Sequence, residues 1–148
     1  MLGKILKLFV GDKSKKDLKT IMPIIDQIHS FEDEIGKLSN DELRNQTSLF
    51  KEQIKSSISD IDEKIENLKI ELEKTKDFDK KESLFTEIDK LNEEAYKINE
   101  NTLNQILPKA FAVIKETAKR FVDNKEIVVT ANEYDLELST EKDYVNVT

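Results

Sequence analysis

The sequence predicts a mainly α protein: a helical segment with a protruding antiparallel coiled-coil hairpin and a short β-rich tail. Three observations carry that expectation. Charged residues make up 37% of the 148, against about 25% in typical domains, and there are only three glycines and two prolines. Few breakers combined with many Lys, Glu, Leu and Ile favour long helices with wide solvated faces. Two apolar seams in steps of three and four occupy the middle of the chain, and the pattern changes after Asn124 to a Val-, Thr- and Tyr-rich alternation.

The charge is unevenly spread. The net value is −7, yet residues 1–20 carry six lysines and two aspartates. That end therefore sums to +4 and the remainder to −11. A general nucleic-acid binder is disfavoured, because no basic face extends beyond the first twenty residues. With no cysteine, neither a disulfide nor a thiolate metal site can form.

Residues 1–11, MLGKILKLFVG, place Leu2, Ile5, Leu6 and Phe9 on one side of a helix, with Lys4 and Lys7 on the other. The stretch is too short to span a bilayer, which needs about 20 apolar residues, and it lacks the cleavage site of a secretory signal. Gly11 is expected to end this helix, with a basic connector to residue 16. The reading is an amphipathic helix docking on an anionic membrane surface. Its apolar side enters the interface while Lys4, Lys7, Lys13, Lys15 and Lys16 meet headgroups. Packing of the same helix against a protein domain is an equal alternative.

A second helix is expected over residues 17–31, with Leu18, Ile21, Ile25 and Ile28 at helical spacing and a kink or restart at Pro23. Ser39 and Glu42 then form a capping box that opens a third helix. Ile54, Ile58, Ile61, Ile65, Leu68 and Leu72 continue from it as an uninterrupted heptad seam. After the polar stretch TKDFDKK, a second seam runs through Leu84, Ile88, Leu91, Ala95 and Ile98. Two seams with a short break predict a hairpin whose arms pair with each other. Pro108 is expected in the first turn of the next helix, where its missing donor is harmless. Ala110, Phe111, Val113, Ile114, Ala118, Phe121 and Val122 give that helix a broad apolar face. Short strands are expected in the acidic tail, with turns at 131–132 and 139–141.

The organisation follows: a basic helix and connector at 1–16, a helical segment at 17–54 and a hairpin insertion at 55–105. A helix at 106–124 then packs on 17–54, and an acidic β-rich tail occupies 125–148.

Two blocks within this order are recognisable. Leu38, Ser39, Glu42, Leu43, Arg44, Thr47, Phe50 and Lys51 form the first. Leu107, Pro108, Ala110, Phe111, Ala112, Val113, Ala118, Lys119 and Arg120 form the second. In sequence and order they resemble the amino-terminal portion of SecA, the bacterial preprotein translocase ATPase. The resemblance covers about 1–54 and 106–121. The family joins the two blocks by a short loop, whereas 55–105 intervene here.

The resemblance implies a parent motor that couples ATP and Mg to preprotein movement through a protein-conducting channel, working in the cytoplasm and peripherally at the inner face of the membrane. This segment would contribute membrane or channel attachment and would brace the first nucleotide-binding domain. No G-x-x-x-x-G-K-[ST] loop is present, so no cofactor site, metal site or catalytic residue is expected here and the chain alone should be inactive. The family's next motifs are absent, so the sequence reads as a leading segment. The hairpin is expected to be a self-paired insertion, with a channel, ribosome or preprotein contact as the sharper alternative. Homodimerisation is left open. A free-standing coiled-coil adaptor with a basic membrane-anchoring helix is the competing reading.

His29 lacks histidine or cysteine neighbours and reads as a surface residue. Arg44 and Arg120 are the only arginines among the basic residues, and each is expected to hold a structural ion pair.

Overall fold

The computed structural model describes residues 2–145 and 147, with side chains from residue 16 onward. Its elements are α1 (Leu2–Gly36), α2 (Asn40–Ser57), α3 (Ser59–Lys74), α4 (Phe78–Asp123) and α5 (Glu133–Glu141). Among the described residues no strand forms. The β-rich tail is therefore corrected: residues 125–132 form neither helix nor strand, and the YDLEL run is helical.

The cause of that correction is local. Asn132 caps α5 by accepting from the Asp135 N–H at 3.0 Å, while the Asp135 carboxylate accepts from the Asn132 N–H at 2.9 Å. This reciprocal pair satisfies two backbone donors that a lone strand would leave open. Alternation in the sequence had no partner strand to make it a sheet.

Two further expectations change. The backbone of α1 runs unbroken through Gly11, the polar connector and Pro23, so neither the break at Gly11 nor a restart at Pro23 occurs. Pro108 lies in the interior of the 46-residue α4 rather than in a first turn. It supplies no N–H to the Asn104 carbonyl, yet its neighbourhood is packed: Ile106, Pro108, Ala112 and Val113 are all buried. Burial of that face holds the helix through the missing bond.

The capping box of α2 forms as the sequence predicts. Ser39 Oγ accepts from the Glu42 N–H at 3.2 Å, and Glu42 Oε2 accepts from the Ser39 N–H at 2.7 Å. The descending strut is interrupted once, where Ile58 separates α2 from α3. Asp77 caps α4 after a three-residue turn, accepting from the N–H groups of Asp79 and Lys80.

Two cores result. At the base, α1, α2 and α4 enclose Ile35, Leu43, Ala112 and Val113, with Ile28, Phe31, Leu38 and Phe50 packed around them. Along the arm, α3 and the first part of α4 enclose Ile61, Ile65, Ile88 and Ala95, flanked by Ile58, Leu68, Leu72, Leu91 and Ile98. The two seams read from the sequence thus face each other. Phe50 and the residues of the second block share one core, so the two recognised blocks are in contact.

Candidate functional site

The predicted membrane-contact residues are Leu2, Lys4, Ile5, Leu6, Lys7, Phe9, Lys13, Lys15 and Lys16. Only Lys16 has a described side chain, and it is exposed; the other eight side chains lie outside the described residues. The helix carrying them remains exposed further along, at Leu18, Ile21 and Met22. Among the described residues no helix is long and apolar enough to cross a membrane, and no cluster of metal-ligating side chains forms.

The polar machinery concentrates instead at the start of α2, around the two arginines. Arg120 uses its whole guanidinium. Nε donates to Glu116 at 2.9 Å, Nη1 to the Asn40 side chain at 2.8 Å, and Nη2 to the Leu38 carbonyl at 2.7 Å. It therefore ties α4 to the α1–α2 turn. Arg44 forms a bidentate pair with Asp135, at 2.5 and 2.7 Å. That bond raises the Arg44 pKa, and it holds the Asp135 carboxyl below the usual range, with the Asn132 N–H assisting. Both arginines are thus structural, as the sequence predicts.

Asp41 completes a clamp on the tail. Its carboxylate accepts from the Thr130 hydroxyl at 2.6 Å and the Thr130 N–H at 2.7 Å, which lower its pKa in that order. Asn40 donates to the Val128 carbonyl at 3.1 Å. The first turn of α2 therefore grips residues 128–135 through backbone and side chain alike. Asn40, Asp41, Thr130 and Asp135 were missed in the sequence, because a strand reading gave the tail no reason to meet α2. The N-x-x-D spacing at 132–135 was the available signal. An open groove of about 420 Å³ lies between this clamp and α4, lined by Leu43, Val113, Phe121 and Val129 among others.

His29 pairs with Glu32 at 2.7 Å on the surface of α1, and Glu32 also takes Lys115 from α4 at 2.5 Å. The Lys115 bond is the larger cause of a lowered Glu32 pKa. The Glu32–Lys115 pair joins α1 to α4.

The remaining feature is a face. At about 100° per residue, Phe78, Phe85, Tyr96, Leu103, Leu107, Ile114 and Phe121 fall within about 20° of one line along α4. All seven are exposed. The stripe lies about 100° around the helix from buried Ile88, Ala95, Ile106 and Val113. Part of the apolar face expected for the second block is thus turned outward: Ile114 is 63%, Phe121 68% and Val122 85% exposed.

Comparison with known proteins places this architecture. The SecA DEAD-like domain family matches residues 6–138. The protein translocase subunit SecA of Flavobacterium psychrophilum is 55% identical over 146 residues, and that of Christiangramia forsetii 49% over the same length. The subunit from Bacteroides fragilis is 40% identical over 145 residues. These alignments cover 98–99% of this chain and 13% of each relative, so the chain spans about an eighth of their length. The aligned region includes 55–105, so these relatives share a chain of similar length between the two blocks. No solved structure matches. With a family model across most of its length, in which the capped α2 and the second block of α4 share one core, the chain belongs to the SecA family of protein translocase subunits.

Proposed function

We propose that this chain is the helical amino-terminal segment of an ATP-driven preprotein translocase, and that its base braces the first nucleotide-binding domain. In this reading 17–54 and 106–124 form the brace, and 55–105 is an inserted arm. The observation that carries the proposal is the open apolar edge of the base. Three helices close a core on one side, yet Leu107, Ile114, Phe121 and Val122 remain exposed on α4. Large apolar residues in such a row mark a surface awaiting a partner, and relatives that are about eight times longer supply one. ATP and Mg belong to that motor, and preprotein and channel are its substrate and partner.

The test substitutes Ile114→Asp and Phe121→Asp in the full translocase. The motor is expected to unfold at a lower temperature, while the isolated segment keeps its helical circular dichroism. Unchanged motor stability overturns the brace.

Membrane attachment is the second part of the proposal, supported by six lysines and an apolar side within residues 1–20. The chain is expected to co-sediment with anionic vesicles and not with neutral ones, placing the translocase peripherally at the inner, cytoplasmic face. Equal binding to both kinds of vesicle excludes the electrostatic reading.

A further inference from the structure

The arm carries its own share of the outer stripe, and no residue of that share belongs to the edge assigned to the motor. Phe78 is 78% exposed, Phe85 54%, Tyr96 69% and Leu103 51%. The seam that pairs the two struts is complete without them. Exposed aromatics in isolation mean little. Here four large apolar side chains share one helical line about 38 Å long at 1.5 Å per residue. A line of that form fits another helix laid along it.

The line has a sign. Glu82, Asp89, Glu93 and Glu100 are exposed. At about 100° per residue they fall within about 60° of the line, all toward one edge, and are distributed over about 27 Å. The lysines of this stretch offset them little. Lys81 lies toward the opposite edge, Lys90 and Lys97 lie about 100° or more around the helix, and Lys80 is taken by Glu71 at 2.7 Å. Residues 78–105 carry seven acids and four lysines, a net of −3.

That charge selects the occupant. A nucleic acid, an anionic lipid surface or an acidic peptide is repelled by the row, whereas a basic helix with an apolar side is attracted. The spread of the acids adds a second requirement. Cations must recur along the partner helix, because a segment with its charge gathered at one end leaves most of the row unanswered.

We propose that the outer stripe of α4 along the arm docks an amphipathic helix of another protein, one that carries lysine or arginine at regular intervals beside an apolar face. Burial of Phe78, Phe85, Tyr96 and Leu103 supplies the affinity, and the acid row sets the partner's orientation.

Fluorescence anisotropy tests this with the chain and a labelled peptide of about 25 residues, long enough to cover the line. The peptide is built of leucine, lysine and alanine, with leucines in steps of three and four and lysines along one edge. Binding with a Kd on the order of 10 μM is expected, weakening as salt is raised. A peptide of the same composition in scrambled order, and one with all its lysines at one end, should each bind about tenfold more weakly. Phe85→Ala with Tyr96→Ala, and separately Glu93→Lys with Glu100→Lys, should each raise Kd about tenfold. Helical circular dichroism should stay unchanged, because these four side chains are exposed. Absence of saturable binding overturns the proposal, as does equal binding of the scrambled peptide or indifference to either pair of substitutions. Peptide binding that falls as the chain's own concentration rises would give the stripe to a second copy, and overturns it as well.

Discussion

Base and arm share one helix, α4, but are held together differently. The base joins three helices around Ile35, which is fully buried, and adds cross-ties of long sequence separation: Arg120 to Leu38 and Asn40, Arg44 to Asp135, Lys109 to Glu34. The arm has two helices, one apolar seam and a single ion pair between them near its tip, Lys80 with Glu71 at 2.7 Å. The lesson concerns where specificity resides. A heptad seam fixes pairing with neighbours in sequence, while the base needs polar groups from four different segments to meet.

The largest expected effect tests whether the two cores are separable. Ile35→Ala should cost near the upper end of the roughly 2–5 kcal/mol typical of such truncations, because a fully enclosed site collapses poorly. Hydrogen exchange should accelerate in α1, α2 and the end of α4. Ile65→Ala should cost nearer the lower end of that range, with faster exchange confined to α3 and residues 78–100. Uniform acceleration by both variants would show a single cooperative unit in place of two.

The next effect sharpens the polar half of the contrast. Arg120→Lys preserves charge but cannot reach Glu116, Asn40 and the Leu38 carbonyl together. It should destabilise the base by about 2 kcal/mol, read by urea denaturation, at roughly 1 kcal/mol for each hydrogen bond lost. The arm has no equivalent: Lys80→Ala, on an exposed pair, should leave the urea midpoint unchanged.

The smallest effect is local and depends on pH. Asp135 and Asp41 have carboxyls held below their usual range by Arg44 and Thr130. A depressed folded pKa means that the docking energy is present above the unfolded value, about 3.9, and is lost as pH falls through the lower folded value. The Thr130 amide resonance should therefore move only under acid conditions, with a midpoint below about 3.9. In Asp135→Asn the tail should be released already at neutral pH, while the exchange protection of Val113 persists. A midpoint at or above the ordinary aspartate value would mean that the clamp does not form.

Elements that depend on neighbours in sequence were legible. Ser39 and Glu42 announced the start of α2, and the isoleucine and leucine seams announced the arm. Elements decided by distant contact were not. Pro108 reads as a helix start, because nothing in its vicinity reveals that Ala112 and Val113 will be buried against α1 and α2. YDLEL reads as a strand, because alternation is visible in one dimension while the guanidinium that fixes Asp135 lies 91 residues away. The same holds for the site. The arginines drew notice by their rarity, but their partners had no signature beyond an N-x-x-D spacing. The outer stripe of α4 was hidden by the expectation of two separate helices, which divided its seven residues between two elements.

The continuity of α4 sets how the arm can move. One strut runs from tip to base without interruption, while the other is jointed at Ile58, so bending concentrates at that joint and the unbroken strut swings as a lever. From Phe78 to Pro108 the lever is about 45 Å long, and a tilt of about 5° where it crosses the base carries the tip through roughly 4 Å. Small rearrangements under the base core therefore become ångström-scale strokes at Phe78, and a load on the tip is felt as torque on the helices around Ile35.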